Sequence, residues 1–471
     1  MNNMDLKKRI YAKAGGAVLL LAGAPLVFGA QSVLMNSPSQ SQSDTATRYS
    51  EEESTNNEMQ VFIPATDAQR ASDQPFKYEP FVFRPHFDYS INDSHGIQNG
   101  TNHPLNSIIQ SVSMGMSVDL GKHWTLDYTP TLTYYSNHQF QNNLGHSASL
   151  AGATSYEDWT MNLSQTFTLS SSPLVENAQQ TETTEYVTTA GATYAINDRM
   201  AAEFGLTQDL VDYSGFDNSK VWSTQDWLNY SFWSRLTVGL GAGAGYNDLT
   251  QQGDQDFQTL QGKISWRATD KLSFQITGGA EEQEFATSGE SASLTPIFSA
   301  SVQYQPFPNT QISLSGNRTV GSSDLFFGSQ ASAIATEDDQ TNTTSFSPSG
   351  FSSSQTTTSV GLSLNQRLLK KFNLNLGISY NENDYTASQV FKETITSDTA
   401  NSDGSHDQTT SSLSENSSRT DTGYVFTARL SRTFMKRGNI ALTYQNSQNK
   451  STEAGFTYNS NQFGVEVQYT Y

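Results

Sequence analysis

The sequence predicts an all-β fold: a transmembrane antiparallel β-barrel of about 18 strands, with short turns at one end and long loops at the other, preceded by a disordered tail. Three observations predict it. The last nine residues alternate with period two, Phe463, Val465, Val467, Tyr469 and Tyr471 forming one face and Gly464, Glu466, Gln468 and Thr470 the other. The composition is only 35% hydrophobic yet 11% aromatic, which suits a wall with one greasy face and one wet face better than a large dry core. Short turns alternate with long polar segments from Pro80 onward, an asymmetry that a soluble two-sheet sandwich does not call for.

At the start of the chain Lys7, Lys8, Arg9 and Lys13 precede the apolar run Ala14 to Phe28, followed by the small residues Gly29 and Ala30. Residues 1–30 therefore have the pattern of a secretory signal peptide, cut after Gly29 or Ala30. Beyond it no stretch reaches 18 consecutive apolar residues, so no helical span is expected. Residues 31–79, with the acidic cluster Glu51-Glu52-Glu53, carry too little apolar material to offset the entropy of ordering. They predict a disordered periplasmic tail; a plug nucleated on Val61-Phe62-Ile63-Pro64 is the other arrangement. The chain has no cysteine, which excludes a disulfide framework, a thiolate metal site and an acylated-cysteine anchor.

Residues 80–471 predict the barrel. Its first strand, 80–90, holds Phe81, Phe83, Phe87 and Tyr89 in phase; segments 108–120 and 124–135 follow, split only by Gly121-Lys122-His123. Short turns fall near Gly121, Glu157-Asp158, Asn197-Asp198, 232–235, Thr269-Asp270, 306–309, 368–371 and 435–438. Long segments lie at 91–106, 136–146, 171–183, 211–220, 247–256, 283–292, 321–355, 383–420 and 447–455. Such a series connects about 18 strands, an even number, and leaves both barrel ends on the turn side.

Trp124, Trp159, Trp233 and Trp266 all sit beside predicted short turns, where they would form a periplasmic girdle. Bases such as Lys122, Arg199, Arg235 and Lys271 gather at the turns, and acids such as Asp254, Glu282 and Asp338 in the loops. A net charge of −20 makes divalent-bridged lipopolysaccharide and membrane lipid the expected neighbours and argues against nucleic acid.

Strand phase assigns Arg84, His86, Asp88, Asp119, Asp127, Glu203, Asp209, Lys263, Arg429 and Glu466 to the lumen face. Mixed charges on an inner wall imply water there, since unpaired ions in a dry interior cost several kcal/mol each. Each charge either tunes selectivity or simply pairs across strands. Counting from the periplasmic ends puts Arg84 of the first strand beside Glu466 of the last and predicts a salt bridge across the seam. Trp227, out of phase with Leu228, Tyr230 and Phe232, is a candidate lumen aromatic, placed to stack on a sugar or to pack. Residues 325–334 are the candidate constriction segment, and an exposed loop is the other reading.

There is no His-Glu-x-x-His, Gly-x-Ser-x-Gly or phosphate-binding glycine loop and no spaced metal-ligand cluster, so neither catalysis nor a cofactor nor a metal is expected. Gly241-Ala-Gly-Ala-Gly245 belongs to a strand, where glycine eases curvature.

The closing strand resembles that of bacterial outer-membrane barrels, whose terminal aromatics are read by the barrel assembly machinery; Phe463, Tyr469 and Tyr471 occupy those positions. Through Phe87-Asp-Tyr-Ser-Ile-Asn-Asp93, Ser155-Tyr-Glu-Asp-Trp159 and that aromatic end, residues 80–471 resemble the outer-membrane β-barrel porins associated with exopolysaccharide production. The resemblance implies a pore, or a barrel that assists polysaccharide export, in the outer membrane of a Gram-negative bacterium, with no catalytic residues. A monomer or a trimer passing small polar solutes is the expectation; a plugged, non-transporting surface barrel such as an adhesin is the alternative.

Overall fold

The computed structural model describes residues 76–78, 80–97, 105–174, 179–214, 218–249, 254–285, 292–322, 335–338, 342–369, 371–400, 406–435, 437–453 and 456–470. The expected signal peptide, nearly all of the tail, residues 325–334 and Tyr471 lie outside these. The elements in chain order are β1 (Phe76–Tyr78), β2 (Phe81–Ile97), β3 (Leu105–Leu120), β4 (Trp124–Tyr135), β5 (Asn143–Tyr156), β6 (Trp159–Leu174) and β7 (Gln179–Asn197). Next are β8 (Met200–Tyr213), β9 (Ser219–Trp233), β10 (Leu236–Leu249), β11 (Gln255–Thr269), β12 (Leu272–Phe285), β13 (Ser293–Phe307) and β14 (Thr310–Ser322). The last are β15 (Ala335–Asp338), β16 (Asn342–Leu368), β17 (Phe372–Ala400), β18 (His406–Phe434), β19 (Gly438–Ser451) and β20 (Tyr458–Thr470).

Strands β2–β14 and β16–β20 form a closed antiparallel ring of 18. β14 pairs with β16, and β20 returns to pair with β2. All eight short turns fall where alternation predicts them. The non-glycine residues Glu157, Leu369 and Met435 open three of these turns with φ near +50°, a conformation that costs a side chain about 1–2 kcal/mol but whose twist matches the strands it joins.

The ring is inside out by the standards of a soluble protein. Leu240 is 70% exposed and Leu260 68% exposed, while Asp119, Glu203, Asn229 and Gln255 are buried. Alternation delivers this directly: on β10, Leu240, Ala242 and Ala244 face outward, and Gly239, Gly241, Gly243 and Gly245 face the lumen. A mostly apolar exterior on a closed sheet, with neighbouring strands paired around the ring, is what a bilayer requires of a β-structure. Paired aromatics mark the lower rim, as in Trp159 with Tyr194 (4.8 Å) and Phe204 (5.4 Å), both tilted, and Trp266 stacked with Phe274 (5.6 Å). About eight residues up the strands a second belt follows, including Phe167 with Tyr186 (4.9 Å), Tyr380 with Tyr424 (5.2 Å) and Tyr444 with Phe463 (4.6 Å).

Two expectations change. Residues 383–400 and 406–420 are strand where a loop is expected, β17 and β18 continuing as paired strands with Asp384 opposite Thr420 and Thr394 opposite Thr410. Residues 342–355 of the other long segment join them as β16, Asn342 opposite Ser397. At 29 residues each β17 and β18 far exceed the 9–11 residues a tilted strand needs to cross a bilayer. Above the membrane an outward face need not be apolar, so the sheet is carried on in Ser, Thr and Asn.

The seam is the second change. β20 pairs with β2 only from His86 (opposite Thr470) to His95 (opposite Asn461), which places Glu466 opposite Ser90. Arg84 lies six residues further along β2, about 20 Å at 3.4 Å per residue, so the expected Arg84–Glu466 bridge does not form. The lower part of that edge belongs to β1, with Phe76, Lys77 and Tyr78 opposite Phe83, Val82 and Phe81.

Candidate pore lumen

Without their Glu466 partnership, the predicted lumen charges find nearer partners. Arg84 of β2 donates two hydrogen bonds to Asp119 of β3, Nη1 to Oδ1 at 3.0 Å and Nη2 to Oδ2 at 2.6 Å. Thr125 donates to the same carboxylate at 3.2 Å. Next to them Thr129 joins His86 (2.9 Å from Nε2) to Asp127, whose Oδ1 accepts from its hydroxyl at 3.0 Å. Asp88 shares this face, opposite Ser113 and Gln468. Glu466 of β20 accepts from Arg429 of β18, at 3.2 Å from Nε and 3.0 Å from Nη2, across the intervening β19.

The opposite wall is built differently. Lys263 of β11 donates to Glu203 of β8 at 3.1 Å, reaching across both β9 and β10. The two side chains are only 7% and 2% exposed. Trp227 of β9 lies between them in register, opposite Glu203 on one side and Gly241 on the other. The ammonium of Lys263 sits 4.8 Å from the centre of the indole ring, a cation–π contact. Beneath the ring is Gly241: a Cβ there would meet Cδ2 of Trp227 at 2.6 Å and the backbone oxygen of Asp226 at 2.7 Å. The glycine run of β10 is thus a floor on which neighbouring side chains lie flat. Trp227 is 2% exposed, with one face on that floor and the other under Lys263. The indole packs and has no open face for a sugar.

Asp209 of β8 and Glu185 of β7 lie above this cluster on the lumen side, on adjacent strands. Glu281 and Gln283 continue the lumen face of β12 at the level where the outward residues turn to Glu282 and Glu284. Gln283 donates to the Glu281 carboxyl at 2.7 Å. Among the described residues no basic side chain comes within 4.0 Å of Glu185, Asp209 or Glu281.

Sequence reasoning missed one further cluster, because it falls where a loop is expected. Arg419 is held between the rings of Tyr385 (4.2 Å) and Phe456 (4.0 Å) and pairs with Asp421 at 3.2 Å. Burial raises the Asp421 carboxyl against the pull of Ser451, Arg419 and Asn449. Phe456 lies in the β19–β20 connection, so the cluster ties that connection to the base of the β17–β18 hairpin. The register of Tyr385 with Arg419 is the one sequence signal of it, and it shows only once that hairpin is recognised.

The four girdle tryptophans are at strand ends on the outer face: Trp124 opens β4, Trp159 opens β6, Trp233 closes β9, and Trp266 lies near the end of β11. Phe463 and Tyr469 are on the outer face of β20, opposite Asp93 and Phe87. The described residues hold no group of three or more His, Cys, Asp or Glu placed to bind a metal.

No protein-family model matches the chain, and no curated protein matches it by sequence. Solved barrels do share its architecture. OccK11 (OpdR) of Pseudomonas aeruginosa is 12% identical, with a TM-score of 0.39 over 82% of this chain and 95% of that one. OccAB4 of Acinetobacter baumannii is 10% identical, with a TM-score of 0.39 over 83% and 98%. The ferric enterobactin receptor of P. aeruginosa is 8% identical, with a TM-score of 0.39 over 82% and 80%. The likeness is one of barrel architecture and nothing finer. The architecture is that of a closed antiparallel β-barrel of 18 strands.

Proposed function

We propose that this barrel is a passive diffusion pore of the Gram-negative outer membrane, exported by its amino-terminal signal peptide, with a lumen that favours cations and small polar solutes over anions. One observation carries the reading: among the described residues four lumen bases are each paired with an acid, and some lumen acids have no base beside them. Arg84, Lys263, Arg419 and Arg429 each face a carboxylate within 3.2 Å. Glu185, Asp209 and Glu281 have no base within 4.0 Å among the described residues, and when ionised they add uncompensated negative charge to the β7–β12 wall. A ring of 18 strands is too wide for side chains alone to fill, so solute passes a wet wall whose net sign is negative. Like-signed charge lining a low-dielectric passage concentrates the opposite ion. Assistance of polysaccharide export would be better served by open aromatic faces along the lumen, and Trp227 does not offer one.

The test is single-channel recording of the refolded mature protein in a planar bilayer, followed by the reversal potential across a salt gradient. Stable ohmic steps with a cation-selective reversal are expected. Steps that favour anions would overturn the selectivity. Silence from a barrel that is demonstrably folded would overturn the pore and leave the plugged surface barrel.

A further inference from the structure

Around most of the ring the outward positions between the two aromatic belts are apolar or small. On β17 they are Leu374, Leu376 and Ile378, and on β20 Val465 and Val467. The sector β6–β9 departs from this rule. Gln165 of β6 stands opposite Thr188 of β7, which stands opposite Gln208 of β8, so three polar side chains form one outward row. Thr224 and Asp226 of β9 adjoin the row diagonally, one and two steps below Trp222, which stands opposite Gln208; the Thr224 hydroxyl donates to the Asp226 carboxylate at 3.2 Å. Their phase is outward: Asp226 alternates with the buried Gln225 and Trp227 and lies opposite Ala242 of the lipid face.

The patch is not above the membrane. Phe167 and Tyr186 lie over the row as the upper belt, and Trp222 closes it opposite Gln208. Leu163, Ala190 and Leu206 lie under the row, and Leu228 lies under Asp226. Hydrocarbon cannot hydrogen-bond to two amides, two hydroxyls and a carboxylate, so lipid is a poor covering for this wall. We infer that β6–β9 form an interface with a second copy of this chain, packed side by side in the membrane about a twofold axis.

The choice of occupant follows from complementarity. The glutamine amides and threonine hydroxyls each donate and accept, and the carboxylate accepts, so the patch can satisfy a copy of itself. A twofold contact presents the same surface from both partners. A head-to-tail ring would instead press this patch against one of the apolar walls and leave it unsatisfied. The small residues Ala190 and Ala242 beside it let two walls approach closely. The inference rests on the membrane-spanning reading of the barrel but not on conduction, so a silent pore would leave it standing.

Because the chain has no cysteine, single-cysteine cross-linking tests it cleanly. Thr188→Cys and, on the apolar β13 wall, Ala300→Cys would each be refolded into lipid vesicles and treated with a short bis-maleimide. Folding is checked by heat-modifiable migration in a gel. Cross-linking of Thr188→Cys to a single species of twice the mass, with Ala300→Cys staying monomeric, is expected. Equal yields at the two sites, or a ladder of higher species, would overturn the twofold contact. The triple variant Gln165→Leu, Gln208→Leu, Asp226→Leu presents a more lipid-compatible wall and should fold. It should weaken association at least tenfold by mass photometry in the same lipid; an unchanged dimer fraction would also overturn the inference.

Discussion

Two stretches of lumen wall solve the same electrostatic problem by different means. On β2–β4 a base meets an acid on the next strand, Arg84 to Asp119, and the pair is partly wet at 22% and 5% exposure. On β8–β11 the base reaches its acid over two intervening strands, and both ends are buried. The near pair needs only the right residues in register. The far pair needs a floor cleared of side chains, a ring to rest on and a stem long enough to span them, so it depends on Gly239, Gly241 and Trp227 as much as on its charges. In a barrel wall, the reach of an ion pair sets how many other residues it binds to its own fate.

Breaking the far pair should have the largest effect. Lys263→Ala removes the ammonium from the buried Glu203 carboxylate, and a loss of about 3–5 kcal/mol is expected, measured as a shift in the urea midpoint of the barrel refolded in lipid. Gly241→Ala should come next. The new methyl meets the Trp227 ring and a backbone oxygen, and overpacking of this kind costs about 1–3 kcal/mol; a midpoint equal to that of the unaltered protein would show that the floor is not needed. Arg84→Ala should cost about 1 kcal/mol or less, as expected of a solvent-screened pair. If it cost as much as Lys263→Ala, the contrast between the walls would collapse.

Much of the ring was legible because a bilayer enforces a period-two pattern wherever it touches the strand. The turns at Gly121 and Glu157-Asp158 announce themselves by the apolar alternation on either side. That enforcement ends at the membrane surface, which is why β17 beyond Asp384 looks like loop and Arg419 escapes notice. Phase could put Arg84 and Glu466 on one face, but it is blind to register, which changes in steps of two without altering any facing. The same phase shows that Trp227 faces inward; that it lies flat on Gly241 depends on strands adjacent in the sheet, which become evident only with the register in hand. Gln165 and Gln208 are each an unremarkable polar residue in the sequence, and their meaning comes from standing in one row with Thr188.

The three residues of β1 act as a doorstop. Only Arg84 and Pro85 separate the stretch of β2 held by β1 from the stretch held by β20. Period two forbids a slip of one residue at the seam, and a slip of two toward the periplasm would bring the end of β20 against Phe76. The offset between first and last strand fixes the shear of a closed sheet, and shear together with strand number fixes strand tilt and radius. A three-residue strand outside the ring therefore helps to gauge the bore of the whole cylinder.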